Sequence, residues 1–223
     1  ESAMENRFSQ RLTIIGTTHV DKSSIERVRR IIFETRPSVV AVELDEERLL
    51  ALRDADRDRL YSPFHSGVLP WLLALLERVV GSMTHVFPGT EMLEAVEEAE
   101  RVGAQTVLID KPISTILDQL RDISLSEKLR IVTDVLVALV GMSVRWKSAR
   151  LVGTDLEKLM AEFDLKYPTM SRILVKERDE YMAGKLTEIM NSHAGRVIAV
   201  VGLGHVKGIG EHLGRLERQP SPG

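Results

Sequence analysis

Two short apolar runs, each closed by a Gly-x-x-His tetrad, bracket this chain. The first is Leu12-Thr13-Ile14-Ile15 followed by Gly16-Thr17-Thr18-His19. The second is Val197-Ile198-Ala199-Val200-Val201 followed by Gly202-Leu203-Gly204-His205. A β-branched run closed by glycine reads as a buried strand ending in a sharp turn. In an open α/β sheet the loops at the carboxyl ends of the strands form the ligand crevice. Two histidines far apart in sequence are thereby expected to meet at one site, the arrangement that a metal centre or an acid/base pair needs.

The spacing of apolar positions fills in the rest. A helix from about Lys22 to Arg36 carries Ile25, Val28 and Ile32 on one face, with Ser23 or Ser24 placed to cap it and Pro37 breaking it. Val39–Glu43 reads as a second buried strand, and Asp45 as the cap of a helix over Glu46–Arg53. An amphipathic helix over Glu91–Val102 precedes a third strand over Gln105–Asp110. Helices follow at about Ile113–Arg121, Ser126–Lys147, Leu156–Phe163 and Pro168–Ser192, then the strand Arg196–Val201 and a short last helix.

This order predicts an α/β fold. A small, mostly parallel central sheet of about four strands or more carries large helical insertions over Leu60–Pro88 and Lys111–Ser192. One such domain is expected over residues 4–215. Residues 1–3 read as a vector remnant and 216–223 as a linker-like tail. The apolar stretches Val68–Val80 and Ile131–Val144 fall short of the roughly 20 residues a spanning helix requires. They carry more apolar surface than one small sheet can cover, so a two-fold homodimer is expected.

The composition removes whole classes of function. There are no cysteines, which excludes disulfides and thiolate chemistry. The net charge is −3 and the basic residues are scattered among acids, so no nucleic-acid footprint is expected. No glycine-rich phosphate loop follows a strand, and there is no Gly-x-Ser-x-Gly elbow and no His-Glu-x-x-His helix.

The remaining chemistry gathers at strand ends. His19 and His205 occupy matched contexts, and Gly16, Gly202 and Gly204 permit the strand exits and expose backbone N–H groups that could hold a carboxylate, a phosphate or an oxyanion. Glu43 ends an otherwise apolar strand at the same predicted edge and is a candidate metal ligand or general base. Asp110 and Lys111 end the third strand there. Arg178 falls in a largely apolar stripe with Leu174, Met182, Lys185 and Ile189, so its guanidinium is expected to point inward and to need an anionic partner: Glu43, Asp110 or a bound ligand. Its neighbours Glu177 and Asp179 are expected to face solvent or cap neighbouring groups. His19, His205 and Glu43 are expected to share one pocket, close enough to bind one ion or a bridging water; if the ligand is a divalent ion, mixed nitrogen and oxygen ligands suit manganese, cobalt or zinc.

Several segments occur in a familiar order: Gly16-Thr17-Thr18-His19-Val20; Val42-Glu43-Leu44-Asp45 with Arg48; Pro88-Gly89-Thr90-Glu91-Met92; Asp110-Lys111-Pro112-Ile113; Glu177-Arg178-Asp179 with Tyr181-Met182-Ala183; and Val201-Gly202-Leu203-Gly204-His205-Val206. Together, over almost the whole chain, they resemble the TraB/PrgY family, which is related to GumN and the TIKI proteins. The resemblance implies an α/β core shared with erythromycin-esterase-like and ChaN-like proteins. It also implies a metal-dependent, peptidase-like hydrolase, as TIKI members look to be, using the paired Gly-x-x-His motifs and a glutamate; on that expectation Glu43 and Arg178 are the catalytic candidates, and Gly16, Gly202, Gly204, Asp110 and Lys111 the substrate-binding ones. The alternative it implies is a module that binds or sequesters a peptide pheromone, as PrgY members do. Prokaryotic TraB proteins often carry C-terminal membrane helices, so membrane association of the full-length protein is expected. One departure is Lys111, where the family commonly has arginine; lysine lacks the bidentate geometry.

Overall fold

The structure is a computed structural model that describes residues 3–7, 10–17, 22–54, 90–131, 133–134, 156–216 and 218. Its elements, in chain order, are β1 (Ala3–Arg7), β2 (Leu12–Thr17), α1 (Lys22–Thr35), β3 (Val39–Val42), α2 (Glu46–Asp54), α3 (Thr90–Val102), β4 (Gln105–Leu108), α4 (Ile113–Arg121), α5 (Leu156–Lys166), α6 (Pro168–Ser171), a π turn (Arg172–Lys176), α7 (Glu177–Ser192), β5 (Val197–Gly202) and α8 (Leu203–Leu216).

The sheet order is β1-β2-β5-β3-β4, with β1 antiparallel to β2 and the other four strands parallel. The mostly parallel sheet expected from the strand runs is therefore present. β1 is an addition: its segment Ala-Met-Glu-Asn-Arg has no apolar run, and it forms by pairing along the free edge of β2. It takes up Ala3, a residue read as part of a vector remnant. Helix α1 starts at Lys22, so Ser23 and Ser24 lie inside its first turn and not at the cap. Val68–Val80, and all of Ile131–Val144 except residues 131, 133 and 134, lie outside the described residues.

Each central strand is buried on both faces, and the period-two alternation splits its side chains between two cores. Ile14, Val39, Ala41, Val197, Ala199 and Val201 pack against α7 and α8 through Met182, Leu186, Val206 and Ile209. Ile15, Val40, Val42, Ile198 and Val200 pack against α1 and α3 through Val28, Ile32, Met92 and Val96. Burying each of these large side chains contributes about 1.5–3 kcal/mol. A third, all-helical core joins α4, α5 and the π turn through Ile116, Leu120, Phe163, Met170, Ile173 and Leu174.

This layering creates the site. β2 and β5 are neighbours, yet β2 leads into α1 on one face and β5 leads into α8 on the other. Adjacent strands whose following helices diverge make a topological switch point, where α/β sheets bind ligands. Among the described residues no helix is long and apolar enough to cross a membrane.

Candidate active site

The carboxyl ends of β5, β3 and β4 deliver their next residues to one buried place, beside the end of β2. Gly16 pairs with Val201 and Thr17 with Gly202, so the two tetrads leave adjacent strands one residue out of register. His19 itself lies outside the described residues.

Glu43 follows the last residue of β3 and is 1% exposed. Its Oε2 accepts a hydrogen bond of 2.6 Å from the Gly202 backbone N–H. Its Oε1 accepts one from Arg178 Nη2. Arg178 has no exposed surface. Its Nε donates to Asp110 Oδ1 at 3.0 Å, Nη2 to Asp110 Oδ2 at 2.5 Å, and Nη1 to the Leu174 carbonyl at 3.0 Å. That carbonyl belongs to the π turn immediately before α7, a feature that recurs at functional sites. The inward guanidinium read from the helix stripe has thus found Glu43 and Asp110 together. Burial opposes charge on Asp110, but Arg178 and Arg48 outweigh it and hold this carboxyl well below the usual range. The same carboxylates raise Arg178, against its burial.

Arg48 is the second guanidinium of the cluster. Its Nη2 donates to Asp110 Oδ2 at 2.7 Å and its Nε to Asp45 Oδ2 at 2.5 Å. Asp45 caps α2 as expected, accepting from the Arg48 backbone N–H at 2.9 Å, and it also accepts from the first N–H of α4, Ile113, at 3.0 Å. One carboxylate therefore fixes two helix starts.

His205 sits in the first turns of α8 and is 2% exposed. Its Nδ1 lies 2.6 Å from Asp179 Oδ1, and its Nε2, buried and without a hydrogen-bond partner among the described residues, lies 3.4 Å from Glu43 Oε1. Burial would lower the imidazole pKa, but Glu43 and Asp179 outweigh it, Arg178 notwithstanding, and raise it. Burial also raises Asp179, with His205 only partly offsetting it. The solvent-facing or capping role expected for Asp179 is corrected here. It is 4% exposed because α8 packs directly over α7 and brings His205 onto its carboxylate.

The other expected residues take different places. Lys111 Nζ turns to Glu177 Oε2 at 2.9 Å and Gln119 Oε1 at 3.2 Å, a half-buried network beside the cluster. Gly16 packs under α8, where a Cβ would stand 2.6 Å from Val206 Cγ2 and 3.3 Å from the Leu203 Cα. Gly204 is half-buried in the first turn of α8.

A divalent ion is tested by what these side chains leave open. Among the described residues no group of three or more histidine, aspartate or glutamate side chains is arranged to hold an ion. Two expected ligands do stand ready. For ligand bonds of about 2.0–2.1 Å in tetrahedral geometry, neighbouring ligand atoms are about 3.3 Å apart, which the His205–Glu43 pair matches at 3.4 Å. Asp179 on the far nitrogen is the carboxylate that orients a metal-bound imidazole in such sites. Glu43 keeps lone pairs beyond its two accepted bonds. The described residues fit the ion as part of a ligand set.

Comparison with known proteins gives three findings. The family model described as TraB/PrgY/gumN matches residues 5–220. A curated protein of Methanocaldococcus jannaschii, itself described as uncharacterized, is 32% identical over 92% of this chain and 53% of its own length. TraB domain-containing proteins of Bos taurus and Homo sapiens are each 28% identical over 89% of this chain and 61% of their own length. The chain thus spans about half to three-fifths of the curated relatives it matches.

Proposed function

The chain belongs to the TraB/PrgY/gumN family, and from that premise and the buried cluster we propose that it is a metal-dependent hydrolase acting on peptide bonds. His205, Glu43 and His19 form the proposed ligand set. The observation that carries the reading is His205 Nε2: a buried ring nitrogen with no hydrogen-bond partner among the described residues, beside a carboxylate and oriented from behind by Asp179. Such an atom is costly in a purely structural cluster and useful as a ligand.

When bound, a divalent ion supplies Lewis acidity and brings the pKa of its water toward neutrality. The chain's own residues do the rest. Asp179 accepts the Nδ1 proton and so leaves the Nε2 lone pair facing Glu43. In the ion's absence the raised imidazole pKa favours a proton on that nitrogen. An ion held at that atom would have to displace the proton. Arg178 has its donors committed to Asp110, Glu43 and Leu174, so it holds the carboxylates in place and balances their charge. Gly202 fixes the other oxygen of Glu43. The N–H groups of the first turn of α8 lack intrahelical acceptors and face the same edge, where they suit an oxyanion.

The second reading is a non-catalytic module that binds or sequesters a peptide. The engagement of both Glu43 oxygens, one by Arg178 and one by Gly202, favours it. We extend either reading to a membrane-tethered full-length protein, on the family resemblance. Self-association is supported by Leu125, Leu129 and Leu165, which are large, apolar and exposed. The deciding experiment incubates a peptide library with the protein and manganese, cobalt or zinc. Hydrolysis predicts cleavage that stops with chelator and with His205→Ala. Peptides that bind but stay intact with all three metals would install the binding module instead.

A further inference from the structure

Helix α8 contains a glycine that its helical role does not explain. Gly208 lies in the middle of Leu203–Leu216, where glycine costs about 1 kcal/mol relative to alanine. A Cβ at this position would stand 2.6 Å from Asp179 Cγ, fall inside the contact radius of Asp179 Oδ2, and lie 3.2 Å from Asp179 Cβ. Among the described residues, and apart from the helix's own backbone, no other atom limits the space so closely there. His205 and Gly208 are three apart, and so share one face of α8. A carboxylate that reaches His205 from α7 must therefore pass over position 208.

We propose that Gly208 is a positioning residue: its bare Cα is the seat that lets Asp179 hold His205 Nδ1. The functional unit is then Gly202-x-x-His205-x-x-Gly208, longer than the tetrad. Its first member donates to Glu43 Oε2, its second presents Nε2, and its third admits the carboxylate that sets the imidazole's orientation. The consequence for catalysis rests on the hydrolase reading given above. The positioning itself does not.

The test compares Gly208→Ala, Asp179→Ala and the double variant in metal-free protein. One readout is the proton NMR signal of the histidine Nδ1–H, shifted downfield by its carboxylate and assigned to His205 by its loss in His205→Ala. A second readout is the melting temperature. Gly208→Ala should abolish the downfield signal and lower the melting temperature. In the Asp179→Ala background the carboxylate clash is gone and only the 3.2 Å approach to the Cβ at position 179 remains, so the same substitution should lower the melting temperature far less. The difference between the two backgrounds isolates the Asp179 carboxylate contact from any general demand for glycine. Should Gly208→Ala fail to fold alone while the double variant folds, the proposal is supported, because Asp179 is then the obstacle. Three results would overturn it: the downfield signal unchanged in a folded Gly208→Ala protein, a loss of melting temperature of equal size in both backgrounds, or a double variant that also fails to fold. Loss of the signal beside a wild-type protein that never cuts peptides would leave the positioning intact and remove only the hydrolase.

Discussion

Replacing Arg178 with methionine probes the centre of the cluster. The side chain has no exposed surface and bonds to Glu43, Asp110 and the Leu174 carbonyl. Arg178→Met keeps much of the apolar stem but leaves Glu43 without its guanidinium partner and Asp110 with only Arg48 and the Lys111 backbone N–H. Removing one partner of a buried ion pair costs about 3–5 kcal/mol. At about 2–4 °C per kcal/mol for a domain of this size, the melting temperature should fall by about 6–20 °C. Arg178→Lys keeps the charge but not the fork, and should fall between. The pH dependence has a definite sign. Asp110 is held below its ordinary 3.8 in the folded protein. Its contribution is therefore present above pH 3.8 and is lost as pH falls through the lower folded value. The gap between wild type and Arg178→Met should accordingly narrow below about pH 4. Urea unfolding at pH 7 and at pH 3 measures both effects. A cost under about 1 kcal/mol at pH 7, or a gap that stays constant on acidification, would refute the account of Arg178 as the cluster's central counter-charge.

Other substitutions test the surrounding architecture. Asp45→Ala removes the acceptor of two helix starts and the partner of Arg48 Nε, and should cost more than the roughly 1 kcal/mol of a single cap, read by thermal unfolding. Gly16→Ala drives a methyl into Val206 and the α8 backbone and should cost about 1–3 kcal/mol, whereas Gly103→Ala, with φ +74 and open space, should cost only about 1 kcal/mol from backbone strain. His205 has a raised folded pKa, so in chelator-treated protein its stabilising contribution is complete below its ordinary 6.5 and fades as pH rises through the folded value. His205→Asn should flatten that alkaline decline in a pH series of melting temperatures.

The parts of the fold that announce themselves are those where backbone chemistry and burial agree. Val39–Val42 and Val197–Gly202 are β-branched, buried on both faces and bounded by Pro37 or Gly202, and they are central strands. β1 is silent because an edge strand needs no apolar run. Arg178 and Glu43 were legible because a charge inside an apolar pattern must be paired. Asp179 was not, because it sits one residue from Arg178 and its burial depends on the packing of α8 against α7. The signal that could have found it was Gly208, a glycine in mid-helix three residues after a histidine. The π turn over Arg172–Lys176 left no trace, since Pro168–Ser192 reads as one continuous helix with no glycine or proline at the turn. Arg48 entered only through the family resemblance, although a basic residue three after the capping Asp45 is within reach of it on the first turn.

The central claim is that His205 and Glu43 are two ligands of one divalent ion. Crystals grown with manganese or zinc, with diffraction recorded on either side of the metal's absorption edge, locate the ion directly. The account predicts one anomalous peak about 2.0–2.2 Å from both His205 Nε2 and a Glu43 oxygen, with His19 completing the set. A fully loaded, active protein whose anomalous peak lies away from His205 Nε2 would contradict it.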